Sequence, residues 1–138
     1  MIIVDTNVIS EIVHSRGDPK IVDWLNRQPP NELSTTAVTI AELLYGVAVM
    51  PRGVRRAELS MKIARAVTAM FDERVLPFDS DAALEYADIL ATRKRIGRPM
   101  KTLDAQIAAI ARSTDSVVAT RNVRDFEQVG VPIVDPWG

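Results

Sequence analysis

The sequence predicts an α/β domain of three layers, with a central parallel sheet of about five strands and helices on both faces. Three observations lead there. Short strand-like runs alternate with longer segments of helical periodicity. The first run, Ile2-Ile3-Val4, is apolar throughout instead of alternating, which is how a strand buried on both faces reads. The 138 residues, with no linker and no internal repeat, suit a single domain over 1–138 with a core of its own.

Taken in order, the first strand ends on Asp5, and the chain turns through Thr6-Asn7 into a helical run over 8–13. A second helix starts with Asp18 as N-cap and Pro19 at the first helical position. Ile21, Val22, Trp24 and Leu25 recur at helical spacing, and Gln28-Pro29-Pro30-Asn31 ends it. Residues 33–38 are β-prone and form the second strand. Residues 39–50 are strongly helical and mostly apolar, so this helix is expected to be largely buried. Pro51-Arg52-Gly53 breaks it, and Leu59, Ile63, Ala66, Val67 and Met70 mark the next helix over 54–71. The third strand, 75–79, ends on Asp79. Asp79 or Asp81 caps a helix over 82–95, closed by Gly97-Arg98-Pro99. An alanine-rich helix over 103–112 precedes the fourth strand, 116–120. Residues 131–134 supply the fifth strand, placed at an edge by Pro132.

Composition narrows the function classes. Without cysteine there are neither disulfides nor thiolate metal sites, so any metal falls to oxygen ligands or to the single histidine, His14. No apolar run approaches the ~20 residues a membrane-spanning helix needs, and the N-terminus lacks the flanks of a signal peptide. A cytoplasmic protein is the expectation. The net charge of −1 neither favours nor excludes a polyanionic partner. Its distribution is uneven, however. Arg93, Lys94, Arg95, Arg98 and Lys101 crowd together, whereas acids gather over 72–88. The basic run reads either as a solvated helix end that suits the helix dipole or as a nucleic-acid contact. Direct DNA binding has no helix-turn-helix pattern to support it.

Four carboxylates fall where such a fold brings residues together, in the crevice beyond the carboxyl ends of the strands. Asp5 closes strand one, Glu42 is expected in the first turn of the helix after strand two, Asp104 in the first turn of a later helix, and Asp125 after strand four. Hard divalent cations are held by such oxygen ligands together with water and substrate phosphate. Each acid also has a structural explanation. Thr39 and Glu42 form a capping-box pattern, Asp104 complements a helix dipole, and Asp125 occupies a turn where acids are common. Asp5 is the hardest to explain structurally, because a carboxylate at the end of an apolar strand is costly to desolvate. A convergent set would repel itself unless a cation neutralised it, which makes a metal-dependent attack on a phosphodiester the natural chemistry.

Four segments carry a family resemblance: Val4-Asp5-Thr6-Asn7-Val8-Ile9-Ser10-Glu11, Thr39-Ile40-Ala41-Glu42-Leu43-Leu44-Tyr45-Gly46, Asp104-Ala105-Gln106-Ile107-Ala108-Ala109-Ile110-Ala111 and Ala119-Thr120-Arg121-Asn122-Val123-Arg124-Asp125-Phe126. In this order and spacing they make the sequence resemble the PIN-domain ribonucleases, specifically the VapC-like toxins of bacterial toxin–antitoxin pairs. The resemblance runs from end to end and includes the closing Asp135-Pro136-Trp137. It implies a Mg²⁺- or Mn²⁺-dependent endoribonuclease that arrests translation, with Asp5, Glu42 and Asp104 as metal-site acids. Either Asn122 or Asp125 takes the fourth place, and Thr6 and Thr120 are small polar residues beside the site. The resemblance further implies homodimers and a cognate antitoxin whose C-terminal tail wraps the toxin. DNA is then reached only through the antitoxin.

In this reading Arg93, Arg95, Arg98, Lys101, Arg121 and Arg124 contact the RNA backbone. His14 is a surface residue, and Trp24 and Trp137 are packing residues. Two other readings stand beside it. A phosphatase or phosphotransferase with a nucleophilic aspartate is weakened by Asn7 in place of a second aspartate. A non-catalytic binding module is weakened by the retention of the acids.

Overall fold

The computed structural model describes residues 1–14 and 17–138. Five parallel strands form one sheet in the order β3-β2-β1-β4-β5: β1 (Ile2–Val4), β2 (Leu33–Thr36), β3 (Val75–Leu76), β4 (Val117–Ala119) and β5 (Ile133–Val134). The helices are α1 (Thr6–Val13), α2 (Pro19–Arg27), α3 (Ala37–Ala48), α4 (Val54–Phe71), α5 (Ser80–Arg95) and α6 (Thr102–Ser113). Among the described residues, no helix is long and apolar enough to cross a membrane.

Successive side chains of a strand point to opposite faces, and β1 sorts the molecule into its layers accordingly. Ile3 packs with Val118, Ile89, Ile107 and Phe126 in the core beneath α5 and α6. Val4 packs with Val8, Ile21, Leu43, Ile63 and Phe71 beneath α1 to α4. Trp24 and Trp137 pack against this second cluster, as expected of packing residues. The chain builds outward from β1 to β2 and β3 on one side, then returns to β4 and β5 on the other. The direction therefore reverses between β1 and β4, and the crevice of an open α/β sheet lies at such a reversal.

Local chemistry explains the boundaries. Asp18 caps α2 through Lys20 N, with Pro19 at its start, and Asp79, not Asp81, caps α5 through Ala82 N. Strand β2 stops at Thr36 instead of running to 38, because the Thr36 side chain accepts the Thr39 N–H and starts α3 at Ala37. Strand β3 is two residues long and does not reach Asp79; Pro77 has no N–H to extend the ladder. Helix α3 is not largely buried. Val38, Thr39, Leu43 and Val47 face inward, while Leu44, Tyr45 and Val49 are 46 %, 71 % and 63 % exposed. A helix laid on one side of a body leaves its other face in solvent however apolar that face is.

The basic run also differs from expectation. Arg93 is only 4 % exposed. Its Nε donates to the Arg98 carbonyl at 2.7 Å, and its Nη1 to the carbonyls of Asp125 and Glu127 at 3.0 and 3.1 Å. Gly97, at φ +74°, makes the turn that brings the Arg98 carbonyl back to it. Arg93 is thus a strut beneath the 122–127 loop and not a nucleic-acid contact. Arg98 is engaged as well, with the Glu127 carboxylate at 3.4 Å and the Arg124 carbonyl at 3.2 Å. Only Arg95 and Lys101 of the expected contacts in this run are exposed.

Replacing Arg93 with Leu leaves three carbonyls without their charged donor. The expected loss is on the order of 3 kcal/mol, read as a lower urea midpoint at unchanged slope. An unshifted midpoint would show that the guanidinium carries no structural load.

Candidate active site

Asp5 is fixed from three directions. It is 4 % exposed and caps α1, its Oδ1 accepting the Thr6 N–H at 2.8 Å. Its Oδ2 accepts from the Thr120 hydroxyl at 2.8 Å and from the Asn7 side-chain amide at 3.3 Å. Its own N–H donates to the Ala119 carbonyl at 3.0 Å. The end of β1 is thereby locked to the end of β4. Thr120 is the hub of this lock, since its hydroxyl oxygen also accepts the Asn122 N–H at 3.0 Å and the Asn7 amide at 3.2 Å. The Asn7 carbonyl oxygen in turn accepts the Arg121 N–H at 3.2 Å.

Glu42 lies in the second turn of α3, not the first, because the cap is Thr36. The capping-box explanation of Glu42 is therefore removed. The side chain reaches toward β1 instead, and its Oε1 accepts from the Thr6 hydroxyl at 2.9 Å. Asp104 stands in the first turn of α6, as expected, three residues after the exposed Lys101 at the N-cap position. Asp125 lies in the short 3-10 turn Val123–Phe126, whose backbone Arg93 supports. Asn122 is exposed and contributes its N–H to Thr120. Thr6 and Thr120 sit beside the acids as expected. Asn7, in sequence terms only the absence of a second aspartate, belongs to the site: a side-chain amide two residues after a strand-end acid is placed to donate back to it. Thr39, fully buried between Thr36 and Thr6, was likewise unread as a site-side hydroxyl.

The electrostatics tie the four acids to one crevice. Asp5 is held above the usual carboxylate range by burial, with Asp125 adding to the rise while the Thr120 and Thr6 hydrogen bonds oppose it. Burial raises Glu42, Thr6 opposes, and the Asp5 charge adds. Burial, and then the charges of Asp5, Asp125 and Glu42, push Asp104 up to about 6, with Lys101 pulling the other way. Asp125 is thus the acid on the fourth strand's loop whose charge reaches both aspartates. Among the described residues, no three acids or histidines close into a ready cage around one point. The four acids act on one another's charge, and those of Asp5 and Glu42 are held by their own hydrogen-bond donors. Mutually repelling oxygens, countered mainly by neutral hydroxyl and amide groups, are a donor set that fits a hard divalent cation.

A family model for the PIN domain matches residues 2–132. The chain belongs to the PIN-domain family. This PIN domain is 40 % identical over 137 residues to the VapC ribonuclease Y4jK of Sinorhizobium fredii, covering 99 % of this chain and 98 % of that protein. It is 34 % identical over 137 residues to toxin FitB of Neisseria gonorrhoeae, covering 99 % of each. Among solved structures, FitAB bound to an IR36 DNA fragment superimposes with a TM-score of 0.91 at 33 % identity, over 100 % of this chain and 96 % of that one.

A raised Asp104 means that the folded state holds this proton more tightly than the unfolded chain does. Through this group, metal-free protein gains stability as the pH falls from about 6 toward 4 and loses it again as the pH rises through that window. Asp104→Asn is therefore expected to raise the melting temperature at neutral pH in a chelator and to flatten the pH dependence across that window. A thermal-unfolding series in both proteins checks this; a melting temperature that falls on substitution contradicts it.

Proposed function

We propose that this PIN domain is a metal-dependent endoribonuclease, the toxin of a toxin–antitoxin pair, which cleaves RNA phosphodiesters and so blocks translation in the cytoplasm. One observation supports the reading: Asp5, Glu42 and Asp104 of a PIN domain lie beside the reversal of the sheet, and burial together with the charges of neighbouring acids, Asp125 among them, pushes all three toward the protonated form. Asp5, Asp104 and Glu42 would hold Mg²⁺ or Mn²⁺, with Asp125 completing the set. The bound ion supplies a lowered water pKa and charge stabilisation at a phosphoryl oxygen.

The chain's own residues do the rest. Asp5 cannot swing away, because Thr120, Asn7 and the Thr6 N–H fix both its oxygens. Glu42, aimed by Thr6, orients the attacking water and takes up its proton, for which a raised proton affinity suits it. Lys101, Arg121 and Arg124, all exposed, bind RNA phosphates beside the acids, with Arg121 steadied over the Trp137 ring at 5.1 Å. The phosphatase reading loses further ground, since Asn7 gives a hydrogen bond to Asp5 where that chemistry wants a second acid.

A cognate antitoxin tail, entering the acidic space with an arginine, would substitute for the ion's charge. The exposed Leu44, Tyr45 and Val49 offer apolar contact to such a tail or to a second copy of the chain in a homodimer. DNA binding by the assembly belongs to the antitoxin.

Asp5→Asn is expected to abolish Mg²⁺-dependent cleavage while the circular dichroism spectrum stays native, as checked by sequencing the RNA ends that each protein generates. Full cleavage by that variant would remove Asp5 and the mechanism with it. Adding Mg²⁺ to chelator-stripped protein should raise the wild-type melting temperature, and by less in Asp104→Asn, because binding to the folded state alone stabilises it. Equal shifts in the two proteins would take Asp104 out of the metal site.

A further inference from the structure

Over residues 52–65, at the head of α4 and along it, five cations stand against the single acid Glu58: Arg52, Arg55, Arg56, Lys62 and Arg65. Among the described residues, none of these five side chains makes an ion pair or a hydrogen bond. Arg74, Arg93, Arg98 and Arg112, by contrast, are engaged by carbonyls or carboxylates, and the α4 cations differ from the similarly unpartnered Arg27 and Arg124 in being clustered on one element. Unpartnered cations clustered on one element are the electrostatic footprint of a polyanion.

Their placement relative to the acids selects the polyanion. A groove of about 390 Å³ between α1, α3 and α4 has Thr6 and Glu42, members of the acidic centre, in its wall together with His14 and Arg55. Thr6, Ser10 and His14 line it at successive four-residue steps of α1, so it follows that helix for ~12 Å away from the acids. An adjoining hollow shares His14 and Arg55 and continues to Glu58 and Lys62. Arg55 and Lys62 are two turns apart and therefore share a face of α4. The groove floor between the acids and these cations is apolar, with Leu43, Val47, Leu59 and Ile63. A groove of this kind, bordered by cations that can track a phosphate backbone, has the electrostatic half of a single-strand site.

We propose that the RNA strand seated at the acidic centre continues along the α1–α3–α4 groove, with Arg55 and Lys62 holding its backbone phosphates. This rests on the ribonuclease reading for the identity of the strand, and it adds the direction in which that strand leaves the centre. Lys101 and Arg121 then flank the acids on one side and the α4 cations on the other.

Binding of a short fluorescein-labelled single-stranded RNA, followed by anisotropy with the full chain carrying Asp5→Asn so that nothing is turned over, tests the proposal. Adding Arg55→Ala and Lys62→Ala together should weaken binding by roughly tenfold and lower the slope of log affinity against log salt by about 1.4, at ~0.7 per phosphate contact. Arg52→Ala with Arg56→Ala removes the same charge from a separate hollow beside Leu44 and Ser60, and should cost several-fold less. Equal losses from the two pairs overturn the proposal. So does unchanged RNA binding in the Arg55/Lys62 variant, including the case where that variant instead loses its antitoxin, which would give the groove to a peptide. A wild-type chain that cuts no RNA, while Arg55 and Lys62 still govern binding, would sink the ribonuclease reading and leave the strand path standing.

Discussion

Repulsion among like charges is the constraint around which this molecule is built. Four carboxylates face one crevice, three of them shifted toward the protonated form by burial and by one another. Relaxed side chains would turn outward to water. Thr120, Asn7 and the Thr6 backbone prevent this at Asp5 and the Thr6 hydroxyl at Glu42, while Arg93 holds the backbone of the loop that carries Asp125. Most of these donors are neutral, so they hold the oxygens in place without cancelling their charge. A site arranged in this way suits a small, highly charged cation, since the donors around it leave its negative charge uncancelled.

The sheet makes the arrangement affordable in structural terms. Parallel strands buried on both faces give a stiff frame, and the reversal between β1 and β4 leaves a space that no crossover helix fills. Asp5 comes from the central strand, Glu42 from the α3 side, and Asp104 and Asp125 from the α6 side. Each element brings a separate layer to the same opening. The acids are therefore far apart along the chain and near in space for one topological reason.

Much of this was legible in the residues. Apolar continuity marked β1 and β4, and proline and aspartate signals marked the starts of α2 and α5, because these depend on local physics. The differences arise where tertiary context decides. Thr36 and Thr39 are equally good caps on paper, and the choice of Thr36 moved Glu42 out of the first turn and removed its structural explanation. The apolar α3 looked buried because composition cannot say how many sides of a helix are covered. Arg93 looked like surface charge because two of its three acceptors are backbone carbonyls over thirty residues away, which no pattern of side chains announces. Asn7 was hidden for a related reason, since two of its three partners, Thr120 and Arg121, lie at the other end of the chain.

The lock between Asp5 and Thr120 spans nearly the whole polypeptide and has a temporal side. On the ribosome the N-terminal strand emerges first and waits through more than a hundred residues for its β4 neighbour. Until then Asp5 lacks the hydroxyl that orients it, and Asp125 has not yet been made. In a nascent chain the site thus stays unassembled until synthesis is nearly finished.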